Sequence, residues 1–176
     1  MGSAVKQDRG AVLVIGYGNR FRGDDAVGPL VAEAVSAWRL PGVETIAVHQ
    51  LTPELAARLA GARCVVLVDA ATDAATVTCR PVHPSAEAPA LGHALNPGDL
   101  LGWAMQAFGQ APTAWLLAVP ACVFEVGAGL SPAARAGLGE ALSRIRRWLD
   151  ANGIAGTELG GPPSPACPTP GPQPVS

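Results

Sequence analysis

Two aspartates, Asp24 and Asp25, close a glycine-rich run that reads Gly16-Tyr17-Gly18-Asn19-Arg20-Phe21-Arg22-Gly23. A third, Asp69, ends the most apolar stretch of the chain, Cys64 to Val68, and His93 lies shortly before an Asn96-Pro97 pair. Two carboxylates and one imidazole drawn from three separate loops make a divalent-metal site with positions left open for a ligand or water. Such donors suit Ni²⁺ or Zn²⁺ better than a soft, thiolate-seeking ion. His49 and His83 qualify as well as His93 on residue type, and spacing does not choose among them. Each acid also has a plain structural use. Asp24 or Asp25 can cap a helix that starts at Ala26, and Asp69 can bond the amides of its own loop.

The glycines admit a rival reading. Gly16-x-Gly18 between a strand and a helix is the start of a dinucleotide-binding fingerprint. Its third glycine is replaced by Phe21, and two aspartates stand at the helix N-terminus, where they would repel a pyrophosphate. Glu44 falls near the start of the second strand, so the ribose-binding acid at that strand's end is missing too. No G-x-S-x-G or H-E-x-x-H motif occurs, which removes the signatures of serine hydrolases and zincins. Cys64, Cys79, Cys122 and Cys167 lie far apart with no C-x-x-C pair. They read as small packing residues on the strands and an idle one near the C-terminus, with Cys122 near the crevice edge.

The elements that must position these groups alternate strand and helix. Ala11 to Ile15 is a continuous apolar run, the pattern of a strand buried on both faces. Val27, Leu30, Val31, Ala34, Val35 and Trp38 recur with helical period. Val43 to Gln50 predicts a second strand, and Thr52-Pro53-Glu54 opens a short helix ending near Gly61. Cys64 to Val68 is the third strand. Thr76 to Pro81 predicts a fourth, too close to the third for a parallel crossover, which takes about a dozen residues; it should run antiparallel beside the third. Asn96-Pro97 caps a helix with a Leu101, Ala104, Met105, Phe108 stripe, and Thr113 to Val119 is the fifth strand. Ser131-Pro132 opens the last helix, with Leu138, Ala141, Leu142, Ile145, Trp148 and Leu149 inward and Arg144, Arg146 and Arg147 suiting its C-terminal dipole. The expected fold is α/β: a three-layer sandwich around a five-stranded, mostly parallel twisted sheet with one antiparallel strand and helices on both faces. Ligands in such sheets bind beyond the carboxyl ends of the strands, where strand order reverses. If the second and third strands flank the first, that crevice falls between the loops bearing Asp25 and Asp69.

Length and composition bound the rest. The 176 residues suffice for one cored domain, expected over 11–150, and 49% of them are hydrophobic against 15% charged. The net charge of -2 gives no sign of a nucleic-acid or membrane partner. No run approaches the roughly 20 apolar residues of a membrane span. Residues 1–10 carry charge and no apolar h-region, so the expected location is cytoplasmic. From Gly161 onward seven prolines fall in 16 residues, and 151–176 is expected to be a Pro-rich disordered tail.

Val14-Ile15-Gly16-Tyr17-Gly18-Asn19, continuing to Gly23-Asp24-Asp25-Ala26-Val27-Gly28, resembles the opening motif of the hydrogenase maturation endopeptidases. The likeness extends through Leu51-Thr52-Pro53-Glu54-Leu55, Val66-Leu67-Val68-Asp69-Ala70 and Gly92-His93 to Val119-Pro120, Phe124-Glu125 and Leu130-Ser131-Pro132. These motifs keep the family's order and cover nearly all of the expected folded part. The resemblance implies a five-stranded twisted sheet and an aspartyl-type endopeptidase. Its partner would be a hydrogenase large-subunit precursor, from which it cuts a C-terminal extension after nickel insertion. It also implies Asp25, Asp69 and His93 as nickel-recognising and catalytic residues, which settles the choice of histidine. Nickel would arrive on the precursor, although Zn or Cd could occupy the site in isolation. Gly16, Gly18 and Asn19 would shape the loop and offer amides to the substrate peptide. The competing function is a non-catalytic chaperone that binds nickel or the precursor; the absence of a His-rich tract or Cys pairs counts against it.

Overall fold

The computed structural model describes residues 10–86 and 95–154. The first strand, β1 (Val12–Tyr17), is apolar throughout because it is covered on both sides. Val12 and Val14 enter one core, while Leu13 and Ile15 enter the other. The same alternation splits β3 (Cys64–Ala71) and β5 (Thr113–Pro120) between the two layers. Helices α1 (Val27–Ala37) and α4 (Pro132–Ala151) close the first core. Helices α2 (Ala56–Gly61) and α3 (Pro97–Phe108) close the second. Trp115 of β5 meets Trp148 of α4 edge to face, with centroids 5.8 Å apart. Ile154, just past the boundary expected at residue 150, still packs into the first core. Of the segments expected to be disordered, 1–10 and 151–176, residues 1–9 and 155–176 lie outside the described residues.

With β2 (Val43–Val48) and β4 (Thr78–Val82), the strand order is β2-β1-β3-β5-β4. β1 pairs in parallel with both β2 and β3, so strand order reverses at β1 and the expected switch point falls between β1 and β3. β4 is antiparallel, as expected, but its partner is β5 and not β3. The reason is burial. β5 carries an uninterrupted Ala-Trp-Leu-Leu-Ala-Val run that needs cover on both faces, so it takes the interior place beside β3. β4 is short, largely exposed and contains Pro81, which lacks an N–H for a second ladder; these are the properties of an edge strand.

Three further expectations are corrected. The buried stripe of α3 is Leu100, Leu101 and Ala104, leaving Met105 and Phe108 exposed. Helix α4 continues past its arginines to Ala151. Arg144 and Arg146 therefore pair at i, i+4 with Glu140 and Asp150 and do not serve the C-terminal dipole. Among the cysteines, Cys64 is a buried free thiol as expected, with its pKa pushed by burial to about 12. Cys79 is disulfide-bonded, and Cys122 is exposed and not packed.

Helix α1 approaches the sheet closely enough to require glycine on both sides. A Cβ on Gly16 would lie 1.8 Å from the Gly28 carbonyl oxygen. One on Gly28 would lie 2.4 Å from the Tyr17 oxygen and 2.6 Å from that of Val68. Gly28 thus supplies the helix–strand packing for which a dinucleotide fingerprint uses its third glycine. Gly28→Ala should destabilise the fold by about 1–3 kcal/mol, since the colliding atoms are backbone and cannot swing away. Urea denaturation checks this, with an unchanged midpoint as the contrary result.

Candidate active site

The loop after β1 is built around two adjacent acids with opposite environments. Asp24 is fully buried. Its Oδ2 accepts from the Cys122 amide (2.8 Å), the Val123 amide (3.0 Å) and the Ser131 hydroxyl (2.8 Å), while Oδ1 accepts from the Ser131 amide at 2.6 Å. Burial works against its ionisation. The bonds from Cys122, Ser131 and Val123 outweigh that, and the carboxyl is held below the usual carboxylate range. Asp24 therefore fastens the loop after β5 to the loop after β1. Other contacts continue the seam. The Asp24 amide donates to the Val123 carbonyl (2.7 Å) and the Gly127 amide to the Phe21 carbonyl (2.8 Å), while Arg22 bridges to Val126. Gly23, at φ 50°, lets the chains meet: a Cβ there would fall 2.4 Å from the Val123 oxygen. Ser131 also caps α4 by accepting from the Ala134 amide at 3.1 Å.

Neither acid caps α1, contrary to expectation. Gly23–Ala26 forms a 3₁₀ turn that runs into the helix without a side-chain cap. Asp25 turns the other way, into the crevice, and its Oδ2 accepts from the Asn19 amide at 2.7 Å. The loop folds back for this because Gly18 takes φ 139°, where a Cβ would strike the Asp25 carbonyl at 2.0 Å. The Asn19 side chain completes the turn by accepting from the Phe21 amide. The two loop amides expected to face a substrate peptide are engaged internally, Gly18 with the Val48 carbonyl and Asn19 with Asp25. Gly16 lies within the sheet, paired with Ala47 and Val68.

Asp69 stands across the crevice, near the end of β3. Its Oδ1 accepts from the Ala70 amide at 2.8 Å. Burial pushes the carboxyl above the usual range; hydrogen bonds from the Tyr17 hydroxyl and the Ala70 amide oppose this, and the charge of Asp25 adds to it. The charge of Asp25 thus reaches Asp69. Burial, then Asp69, also drive the Tyr17 phenol above its ordinary value, against a smaller opposing effect of Arg80. A buried carboxylate that resists ionisation beside a second acid is a place where a cation is welcome.

His93, the third residue expected here, lies outside the described residues. His49 and His83 are exposed. Among the described residues no group of three or more His, Cys, Asp or Glu could hold a metal ion, and no helix is long and apolar enough to cross a membrane. The dinucleotide reading loses its remaining support, because the amide a phosphate would seek, that of Asn19, is already bonded to Asp25. Sequence reasoning found Ser131 as a helix cap but missed its bond to Asp24, and it missed Tyr17. Ser131 is 107 positions from the acid it serves, and no local signal reports that pairing. Tyr17 meets Asp69 only through the β1–β3 register.

No family model matches the chain, and no curated protein does. Solved structures do. The hydrogenase maturating endopeptidase HybD from E. coli is 25% identical with a TM-score of 0.63, covering 81% of this chain and 94% of its own. The solution structure of an endopeptidase from Escherichia coli is 26% identical at the same TM-score, covering 82% and 94%. The [NiFe] hydrogenase maturation protease HycI from Thermococcus kodakarensis KOD1, 20% identical with a TM-score of 0.61 over 80% and 93%, shares the fold. With these neighbours, the same α/β sheet and the motifs in order along it, the chain is a peptidase with the fold of the hydrogenase maturation endopeptidases, to which it is similar.

Proposed function

We propose that this protein removes the C-terminal extension of a nickel-loaded hydrogenase large-subunit precursor in the cytoplasm, and that Asp25, Asp69 and His93 recognise the nickel. One observation carries the reading. Two carboxylates from different loops stand at the switch point of the sheet, Asp25 held by the Asn19 amide and Asp69 by the Ala70 amide and the Tyr17 hydroxyl, and the charge of Asp25 reaches Asp69. This leaves lone pairs on both for a shared ion. Burial, and to a smaller extent the charge of Asp25, disfavours ionised Asp69 while the site is empty, and a cation carried in by the precursor relieves this. Binding is then strong only for a loaded substrate, which makes metal insertion a condition for cleavage.

The same acids serve the hydrolysis. Water attacks the scissile carbonyl while Asp25 or Asp69 takes its proton; the carboxyl then returns a proton to the departing amine as the C–N bond breaks. The raised affinity of Asp69 for protons fits this exchange. The nickel, brought as cargo, positions the peptide and polarises it.

The test is to incubate nickel-loaded and nickel-free precursor with the purified protein and weigh the products. Loss of a C-terminal peptide from the loaded form alone is the expected result. A precursor left intact under every condition overturns the proposal, and tight binding without cleavage would identify a chaperone.

A further inference from the structure

We propose that Tyr17 is the positioning residue for Asp69, donating its phenolic proton to the carboxylate and fixing the orientation in which Asp69 meets the precursor's cation. The inference rests on the functional reading above for its consequence in turnover, but its geometry stands apart from it.

The register places the two residues. Gly16 is paired with Val68, so Tyr17 and Asp69 occupy the next rung of neighbouring parallel strands. Leu13 and Ile15 of β1 and Val65 and Leu67 of β3 all face the α2–α3 core. With a period of two, Tyr17 and Asp69 project on that same side. The Tyr17 ring packs against that core, which holds the hydroxyl at the crevice floor, where it hydrogen-bonds the Asp69 side chain. The Ala70 amide secures Asp69 Oδ1 from the other direction. A carboxylate has about four lone-pair sites, so these two donors orient it and leave capacity for an ion. Partners of this kind fix the geometry of a ligand without touching the ion themselves.

Two measurements decide the matter. Tyr17 is the single tyrosine of the chain, so protein labelled with [¹³Cζ]tyrosine gives one phenolic carbon resonance. That resonance should move when Asp69→Ala removes the acceptor and change far less in Asp25→Ala. The second measurement is kinetic. Tyr17→Phe keeps the ring and loses the donor, and kcat/KM for trimming loaded precursor should fall about 10–100-fold, mostly through KM. In an Asp69→Ala background the same substitution should add nothing. An identical resonance in the parent and in Asp69→Ala overturns the proposal, as does parental kcat/KM in Tyr17→Phe. If the parent protein trims no precursor, the functional reading fails, and the resonance alone then decides whether the hydrogen bond exists.

Discussion

Asp25→Ala is expected to be a folded protein that trims loaded precursor on the order of 10³-fold more slowly than the parent. The two halves of that expectation have separate origins. Structurally, the Asp25 side chain is half-buried and, among the described residues, accepts a single hydrogen bond, from the Asn19 amide. Losing it should cost only about 1 kcal/mol, and the freed amide borders the open crevice. Functionally, one of two carboxylates disappears, and with it the negative charge proposed to draw the cation and a candidate proton acceptor. Asp25→Asn separates these effects, since the amide oxygen can still accept from Asn19 while the charge is gone. It should match the parent in thermal unfolding and match Asp25→Ala in activity. Asp69→Ala and His93→Ala should show comparable losses of trimming. Product masses over time measure all four, and trimming at the parental rate by Asp25→Ala would remove the paired acids from the mechanism.

How far the site could be read from the sequence depends on whether its information is local. The apolar runs of β1, β3 and β5 declare strands buried on both faces, and the structure bears this out because nothing but cover on both faces suits such runs. The caps at Asn96 and Ser131 are equally local. Asn96 accepts from the Asp99 amide at 3.0 Å and Asp99 answers with the reverse bond, so three residues suffice to predict that boundary. The switch-point crevice followed from strand order, which short connections and right-handed crossovers nearly dictate.

Pairings between distant segments were not legible. A six-residue link told that β4 is antiparallel but could not tell that β5, which comes later in the chain, would insert between β3 and β4. The division of labour between Asp24 and Asp25 was hidden for the same reason. Both precede a helix and both could cap it; what separates them is the loop around Cys122 to Ser131, about a hundred residues away, whose donors reach only the first. The exposed face of α3 shows a subtler limit. Helical period located a stripe, but α2 and the sheet select Leu100 and leave Phe108 out.

That division gives Asp24 the larger effect on stability, and Asp24→Ala should lower it by about 3–5 kcal/mol, the scale for breaking a buried charged network by removing one member. Three backbone amides, those of Cys122, Val123 and Ser131, would lose their acceptor together with the Ser131 hydroxyl. A smaller side chain also opens space where Asp24 is 0% exposed. Asp24→Asn should not rescue the fold. Both carboxylate oxygens accept bonds, so whichever way the amide is turned, its NH₂ faces an N–H or O–H donor. The pH dependence carries the same signature with a defined sign. The folded-state pKa of Asp24 lies below the ordinary 3.8, so its contribution is complete above that value and is lost as pH falls through the lower folded value. The gap in urea midpoint between parent and Asp24→Asn should therefore be constant near neutrality and narrow only below about pH 4. Trimming should fall in these variants as well, because the seam that sets the direction of Asp25 is anchored by its neighbour. A variant that keeps parental stability at neutral pH would show that the loop after β5 is held by something other than this carboxylate.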